Sequence, residues 1–343
     1  WVDIDAWQAS AGCLWMHLHR DAGETREWLH ERSGLDPLIV ESLLAESTRP
    51  RCAPVGDGVM LFLRGVNLNP GADPEDMVSI RLWVESTRII SVRTRRLMSV
   101  DDLRQAQVIF VGEFHDHLGH HQAQLSIIDA LDNDERPLAI GLEMFRRDSQ
   151  EDLDIWTAGM SSLAEFTEAF NKNWGMWPVY SGIFLHARDE NVKMIGLNIP
   201  RSITGKVARN GYKSLSNEER LLLGNVQCEV DQAYADYIRQ AMGGHGGHGT
   251  HFLYFCEAQL LWDTIMARNL VDFLKENPDY RVVVLAGSAH AWKFGIPRQL
   301  VEQADISYRV VLPEIIGRVD RRNVNEKLAD YLWLDEGPDA WGF

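Results

Sequence analysis

Five short apolar runs set the first constraint. From Gln107 onward, Val108–Val111, Leu138–Leu142, Lys193–Leu197, Arg281–Ala286 and Ser307–Val311 alternate with helical stretches near His121–Leu131, Ser149–Thr157, Leu163–Phe170, Asn217–Gln240 and Phe252–Leu274. A strand apolar on both faces must be covered on both, and strands joined through helices run parallel. The pattern therefore predicts an α/β fold: a mainly parallel sheet with helices on both faces. No run approaches the roughly 20 apolar residues that cross a bilayer, so no transmembrane segment is expected.

Residues 1–104 follow another habit. They hold twelve arginines and no lysine, whereas all seven lysines and fifteen arginines lie beyond. That step predicts two domains, 1–104 and 105–343. A strand at Leu14–Leu18, helices at Gly23–Ser33 and Pro37–Glu46, and strands at Val59–Leu63, Ser79–Val84 and Arg88–Val92 predict a small α+β domain in front. Its arginines read as a solvated face with local ion pairs. The whole chain carries 50 acids against 34 bases, a formal charge of -16, and 34 of those acids follow Arg104. Such an acidic chain lacks the basic stripe that phosphate binding needs, so no nucleic-acid partner is expected. Cys13, Cys52, Cys228 and Cys256 form no Cys-x-x-Cys pair, which argues against a disulfide framework or cysteine zinc site and for reduced thiols. With no signal pattern at the start, the expected compartment is the cytoplasm; a periplasmic or membrane-anchored setting is the alternative if the native start is missing.

Ligands of open α/β sheets bind at the carboxyl ends of the strands. The first strand ends in Gly112-Glu113-Phe114-His115, the second in Glu143, the third in Asn198 and the fourth in Gly287-Ser288-Ala289-His290. One polar strand end is usually a cap or turn former, but four on one rim predict a site. Two close glutamates can raise one pKa to make a general base, and imidazoles can shuttle protons, hold an oxyanion or bind metal. The catalytic candidates are therefore Glu113, His115, Glu143 and His290, with His115 and His290 as ligands of a possible divalent metal ion. Gly-x-Ser-x-Gly, Walker and His-Glu-x-x-His patterns are absent. His117, His120 and His121, at a helix start, read as capping or exposed residues. Asp263, four residues after Gln259, reads as a local polar partner and Glu257 as a group on another helix face, neither catalytic.

Six ordered motifs are similar to the ChaN family of haem-binding proteins over about residues 105–335: Val111-Gly112-Glu113-Phe114-His115-Asp116-His117, Gly141-Leu142-Glu143-Met144-Phe145, Trp177-Pro178-Val179-Tyr180, Gly196-Leu197-Asn198-Ile199-Pro200-Arg201, Phe255 to Asp263, and Leu285-Ala286-Gly287-Ser288-Ala289-His290. The resemblance implies haem as cofactor and partner, held in a homodimer with two haems face to face, tyrosine on iron and a histidine from the other subunit. It assigns the tyrosine to Tyr180, aromatic cover to Trp177, and the histidine to His245, His248 or His251 beside the glycine loop Gly243–Gly249. The wider superfamily, with erythromycin esterases and TraB/Tiki proteins, uses the Glu and His positions for hydrolysis. In front, Glu46-Ser47-Thr48-Arg49-Pro50-Arg51, Leu63-Arg64-Gly65-Val66-Asn67 and Ile89 to Arg95 resemble the N-terminal cytoplasmic module of ZntB, a CorA-type ion transporter, over about 100 residues. That family continues into a long helix and two membrane helices; here the α/β part follows. The expected function is haem binding in haem or iron uptake or handling, with a metal-assisted hydrolase using the Glu/His rim as the alternative.

Overall fold

The structure is a computed structural model that describes residues 14–45, 51–65, 78–94, 98–132, 136–224, 226, 228–242, 249–315, 319–320 and 322–333. The chain divides between Leu103 and Arg104 into two compact units.

In the first unit, β1 (Leu14–His19), α1 (Gly23–Glu31), α2 (Pro37–Leu44), β2 (Arg51–Val55), β3 (Gly58–Gly65), β4 (Val78–Val84) and β5 (Arg88–Arg93) build a five-stranded sheet of order β1-β5-β4-β3-β2. Only the β1–β5 pair is parallel. Met60, Phe62, Trp83, Ile90 and Val92 alternate along the strands and pack against Trp28, Leu29, Ile39, Val40 and Leu43 of the two helices. Arg51-Cys52-Ala53-Pro54-Val55 contains a proline and was not expected as a strand; it forms the edge strand, where a missing N–H costs no ladder bond. Arg81 departs from the expected solvated face. It is buried, with its guanidinium on Ala45 O at 2.6 Å and Thr94 Oγ1 at 3.1 Å. Part of the ZntB-like wording, residues 46–50 and 66–67, lies outside the described residues.

Helix α3 (Met98–Gln105) leads into the second unit: β6 (Val108–Glu113), α4 (Leu118–Asp132), β7 (Leu138–Arg146), α5 (Gln150–Thr157), α6 (Leu163–Asn173), α7 (Trp177–Asp189), β8 (Lys193–Asn198), α8 (Arg201–Asn210), α9 (Asn217–Leu222), α10 (Gln232–Ala241), α11 (Thr250–Glu276), β9 (Arg281–Gly287), α12 (Ser288–Ala291), α13 (Ile296–Gln303), β10 (Tyr308–Pro313) and β11 (Tyr331–Trp333). The six strands run parallel in the order β11-β10-β6-β9-β7-β8. The α/β sheet covered by helices, with a small α+β sheet in front, is the expected fold. Val282–Ala286 is fully buried, as a central parallel strand must be. The stretch expected as one helix from Asn217 to Gln240 is two. Gly224, at φ +61°, ends the first, and Asp231, accepting from Tyr234 N–H at 2.7 Å, caps the second.

Candidate functional site

Parallel strands put all their carboxyl ends on one rim, and the central strands β6, β9 and β7 bring the four catalytic candidates together there. Glu113, the last residue of β6, is buried and surrounded by donors. His115 Nδ1 donates to its Oε1 at 2.8 Å, the Tyr180 hydroxyl donates to the same oxygen, and Gln124 Nε2 donates to Oε2 at 2.8 Å. Burial alone would raise this carboxyl. The His115 hydrogen bond, the His121 and His115 charges and the Tyr180 hydroxyl outweigh it, so the carboxyl lies below the usual glutamate range. Burial lowers His115, but its bond to Glu113 and the charges of Glu143 and Glu113 prevail and raise it.

On the other side, His290 Nδ1 donates to Asp263 Oδ1 at 2.6 Å, and the Tyr234 hydroxyl donates to Asp263 Oδ2 at 2.5 Å. Burial opposes protonation of His290, yet the Glu143 and Asp263 carboxylates push the imidazole up to about 9. Glu143 stands between the two imidazoles. Its Oε2 accepts from Gly287 N–H at 2.7 Å, and its Oε1 lies 3.7 Å from His290 Nε2. The ring of His115 lies against Gly287, where an added Cβ would sit 2.9 Å from His115 Cε1; glycine is what lets imidazole and strand end approach. Each imidazole is thus held through Nδ1 by a carboxylate, which leaves Nε2 for chemistry, the arrangement of a proton-transfer site.

Sequence reasoning missed several members. Asp263, expected to pair with Gln259, is fully buried and orients His290. His120 and His121 are buried rather than exposed. His120 Nδ1 accepts the Phe114 N–H at 2.9 Å, while the two nitrogens of His121 face His115 O at 3.0 Å and Gln124 Oε1 at 3.1 Å. An available signal was the i, i+3 pair His121 and Gln124 on the helix that follows a polar strand end. Another was an aspartate inside the apolar stretch of α11.

Tyr180 is completely buried and donates to Glu113, and burial together with the Glu113 charge drives its phenol far above the ordinary range. Its hydroxyl is thereby turned inward onto the Glu113 carboxylate. Trp177 is half-buried and packs on Phe166, Phe170 and Phe184. His251 is exposed on the first turn of α11, while His245 and His248 lie outside the described residues. Among the described residues no three His, Cys, Asp or Glu side chains converge to hold a metal ion; His115 is paired with Glu113 at the end of β6 and His290 with Asp263 of α11 instead.

At the rim's mouth, Phe114 is 39% exposed, Trp174 meets His115 edge-on at 5.0 Å, Arg201 lies 4.9 Å over the Trp174 ring, and Trp262 meets His290 edge-on at 6.0 Å. A cleft of about 300 Å³ lined by Lys293, Ser307, Tyr308, Arg309 and Asp330 lies by the amino end of β10, away from these groups, and its Lys293 is paired with Asp330 at 2.6 Å.

Fold and rim define a class: a parallel α/β protein with paired imidazoles and carboxylates at the strand ends. Residues 99–300, more than half of the chain, match the family described as haem-binding uptake, Tiki superfamily, ChaN, and the chain belongs to that family. Residues 10–118 match the CorA-like Mg2+ transporter family. The chain is 48% identical over 91 residues to the divalent cation transporter CmaX of Pseudomonas aeruginosa, and 34% identical over 102 residues to the zinc transport protein ZntB of Yersinia pseudotuberculosis. These stretches are 26% and 30% of this chain and only 27% and 31% of those relatives. A solved structure showing cofacial haem binding to ChaN of Campylobacter jejuni superposes with a TM-score of 0.52 at 24% identity, covering 70% of this chain and 91% of that one, which shows a shared fold. The chain is thus a fusion of a ChaN-like domain with a CorA/ZntB-like module. No helix among the described residues is long and apolar enough to cross a membrane.

Proposed function

We propose that the second unit binds haem against its carboxyl-end rim, as part of haem or iron handling. The match of residues 99–300 to the haem-binding uptake family carries this reading. The rim suits the group: exposed Phe114 and half-buried Trp174 offer aromatic surface, and Arg201 offers a cation for an anionic porphyrin. Haem would supply an iron centre whose axial ligand sets its chemistry. Of the imidazoles expected to meet iron, exposed His251 is the candidate within the described residues, and the homodimer expected from the resemblance belongs to the same proposal. So does a cytoplasmic setting, which suits the free thiols of Cys52, Cys228 and Cys256. Titration of the purified protein with haemin is expected to give a saturable Soret change that His251→Ala weakens. Spectra identical to free haemin would overturn the reading.

One observation favours a second reading. Glu143 lies between two imidazoles that carboxylates hold in place, which suits acid–base hydrolysis of the erythromycin-esterase or Tiki kind by Glu113, His115, Glu143 and His290. Ester and peptide panels, with and without divalent metal, test it; turnover no greater than that of His290→Ala sinks it.

A further inference from the structure

We infer that Arg201, lying over the Trp174 ring beside His115, anchors a carboxylate of the ligand bound at this rim; with the haem reading, on which the identity of that ligand rests, the group is a propionate. Two tethers bring the stack to the site. At the end of β8, Asn198 accepts the Ile199 N–H at 2.7 Å and donates to Glu143 O at 2.7 Å, turning the chain through Pro200 into Arg201, the first residue of α8. At the end of β7, the Arg146 N–H donates to Asn173 Oδ1 at 3.2 Å, which fixes the end of α6 and so the position of Trp174. The ends of β7 and β8 therefore deliver cation and aromatic to one place, next to His115.

Several arginines of this unit are committed to carboxylates. Arg146 sits on Asp148, Arg188 on Asp189, and Arg298 on Asp231 and Glu302. Arg201 is exposed, its i+3 and i+4 neighbours are Thr204 and Gly205, and among the described residues no carboxylate lies within ion-pair distance of it. A cation–π contact with an indole consumes none of a guanidinium's N–H donors, which can grip a carboxylate through two parallel hydrogen bonds. Glu113 and Asp263 are engaged by the His115 and His290 imidazoles and Glu143 by the Gly287 N–H, and Arg201 adds a permanent cation at the mouth of the rim.

The experiment compares haemin with haemin dimethyl ester, in which both carboxylates are neutral, on the full chain and on Arg201→Met and Arg201→Lys. Arg201→Met is expected to weaken haemin about tenfold or more, by the usual worth of a charge-assisted hydrogen bond. It should leave the ester within about twofold, and Arg201→Lys should fall between. Equal loss for both ligands, or no loss for haemin, overturns the inference. Arg Nε–H NMR signals with a millimolar aryl carboxylate and its methyl ester separate this from the haem reading. If haemin fails to bind at all, the haem reading falls. The anchor then stands if the carboxylate alone shifts the Arg201 signal, and falls if it does not.

Discussion

Both sheets of this chain bury polar side chains, but they place them differently. In the first unit β3, β4 and β5 alternate in direction, so strand ends of opposite polarity share each edge. Two of its buried polar groups lie within strands and tie them to their neighbours: Ser91 Oγ donates to Met16 O at 3.1 Å and meets His17 Nδ1 at 2.8 Å, and Arg81 ties β4 to Ala45. In the second unit every strand runs the same way, so Glu113, Asn198 and Gly287 at their strand ends, and Glu143 near the end of β7, come to one rim. Strand direction decides whether polar residues become structural bonds or converge into a site.

The contrast breaks most readily at Glu113. Removing its carboxylate leaves His115, Tyr180 and Gln124 without their acceptor, and Glu113→Ala is expected to cost about 3–5 kcal/mol. Hydrogen exchange under mild denaturant should localise the loss to β6 and β9 while β3–β5 stay protected. Loss spread over both sheets would erase the distinction between the units.

A pH series comes next. The folded state raises His290 from its ordinary 6.5 to about 9, so its contribution is fully present below pH 6.5 and disappears as pH rises through about 9. Stability of the second unit should fall by about 3 kcal/mol over that window, at about 1.4 kcal/mol per unit. Asp263→Asn should flatten the slope and lower the His290 midpoint seen by NMR; an unchanged midpoint would separate Asp263 from His290.

Tyr180→Phe sharpens the comparison further. It removes one hydrogen bond to a buried carboxylate and should cost about 2 kcal/mol, with the Soret titration of haemin unchanged. A lost haemin signal would return Tyr180 to the iron. The smallest effect belongs to the first unit: Ser91→Ala should cost about 1 kcal/mol in denaturant unfolding and alter neither haemin binding nor ester turnover. Any change at the rim would show that its stitching reaches the site.

Much of the site was legible. Glu113, His115, Glu143 and His290 stand where apolar runs give way to polar residues, and strand ends are read locally. Edge strand β2 was hidden by its proline, and the break between α9 and α10 by an apolar pattern continuing past Gly224. The hydrogen-bond partners of Asp263 and Tyr180 escape the sequence for a different reason. Those partners, His290 and Glu113, lie 27 and 67 residues away, and helical spacing says nothing about groups that meet only when helices pack on the sheet.

The sequence by itself determined two domains of unlike composition, a sheet of buried parallel strands in the second, and polar groups at its carboxyl ends. Those follow from burial and periodicity, which act over a few residues. Tertiary structure alone decided which carboxylate holds which imidazole, that the Tyr180 hydroxyl is buried on Glu113, and that Arg201 comes to lie over Trp174. Such pairings depend on how α6, α7, α8 and α11 cross the sheet. A buried hydrogen bond goes to whichever partner the packing delivers, however far along the chain it lies.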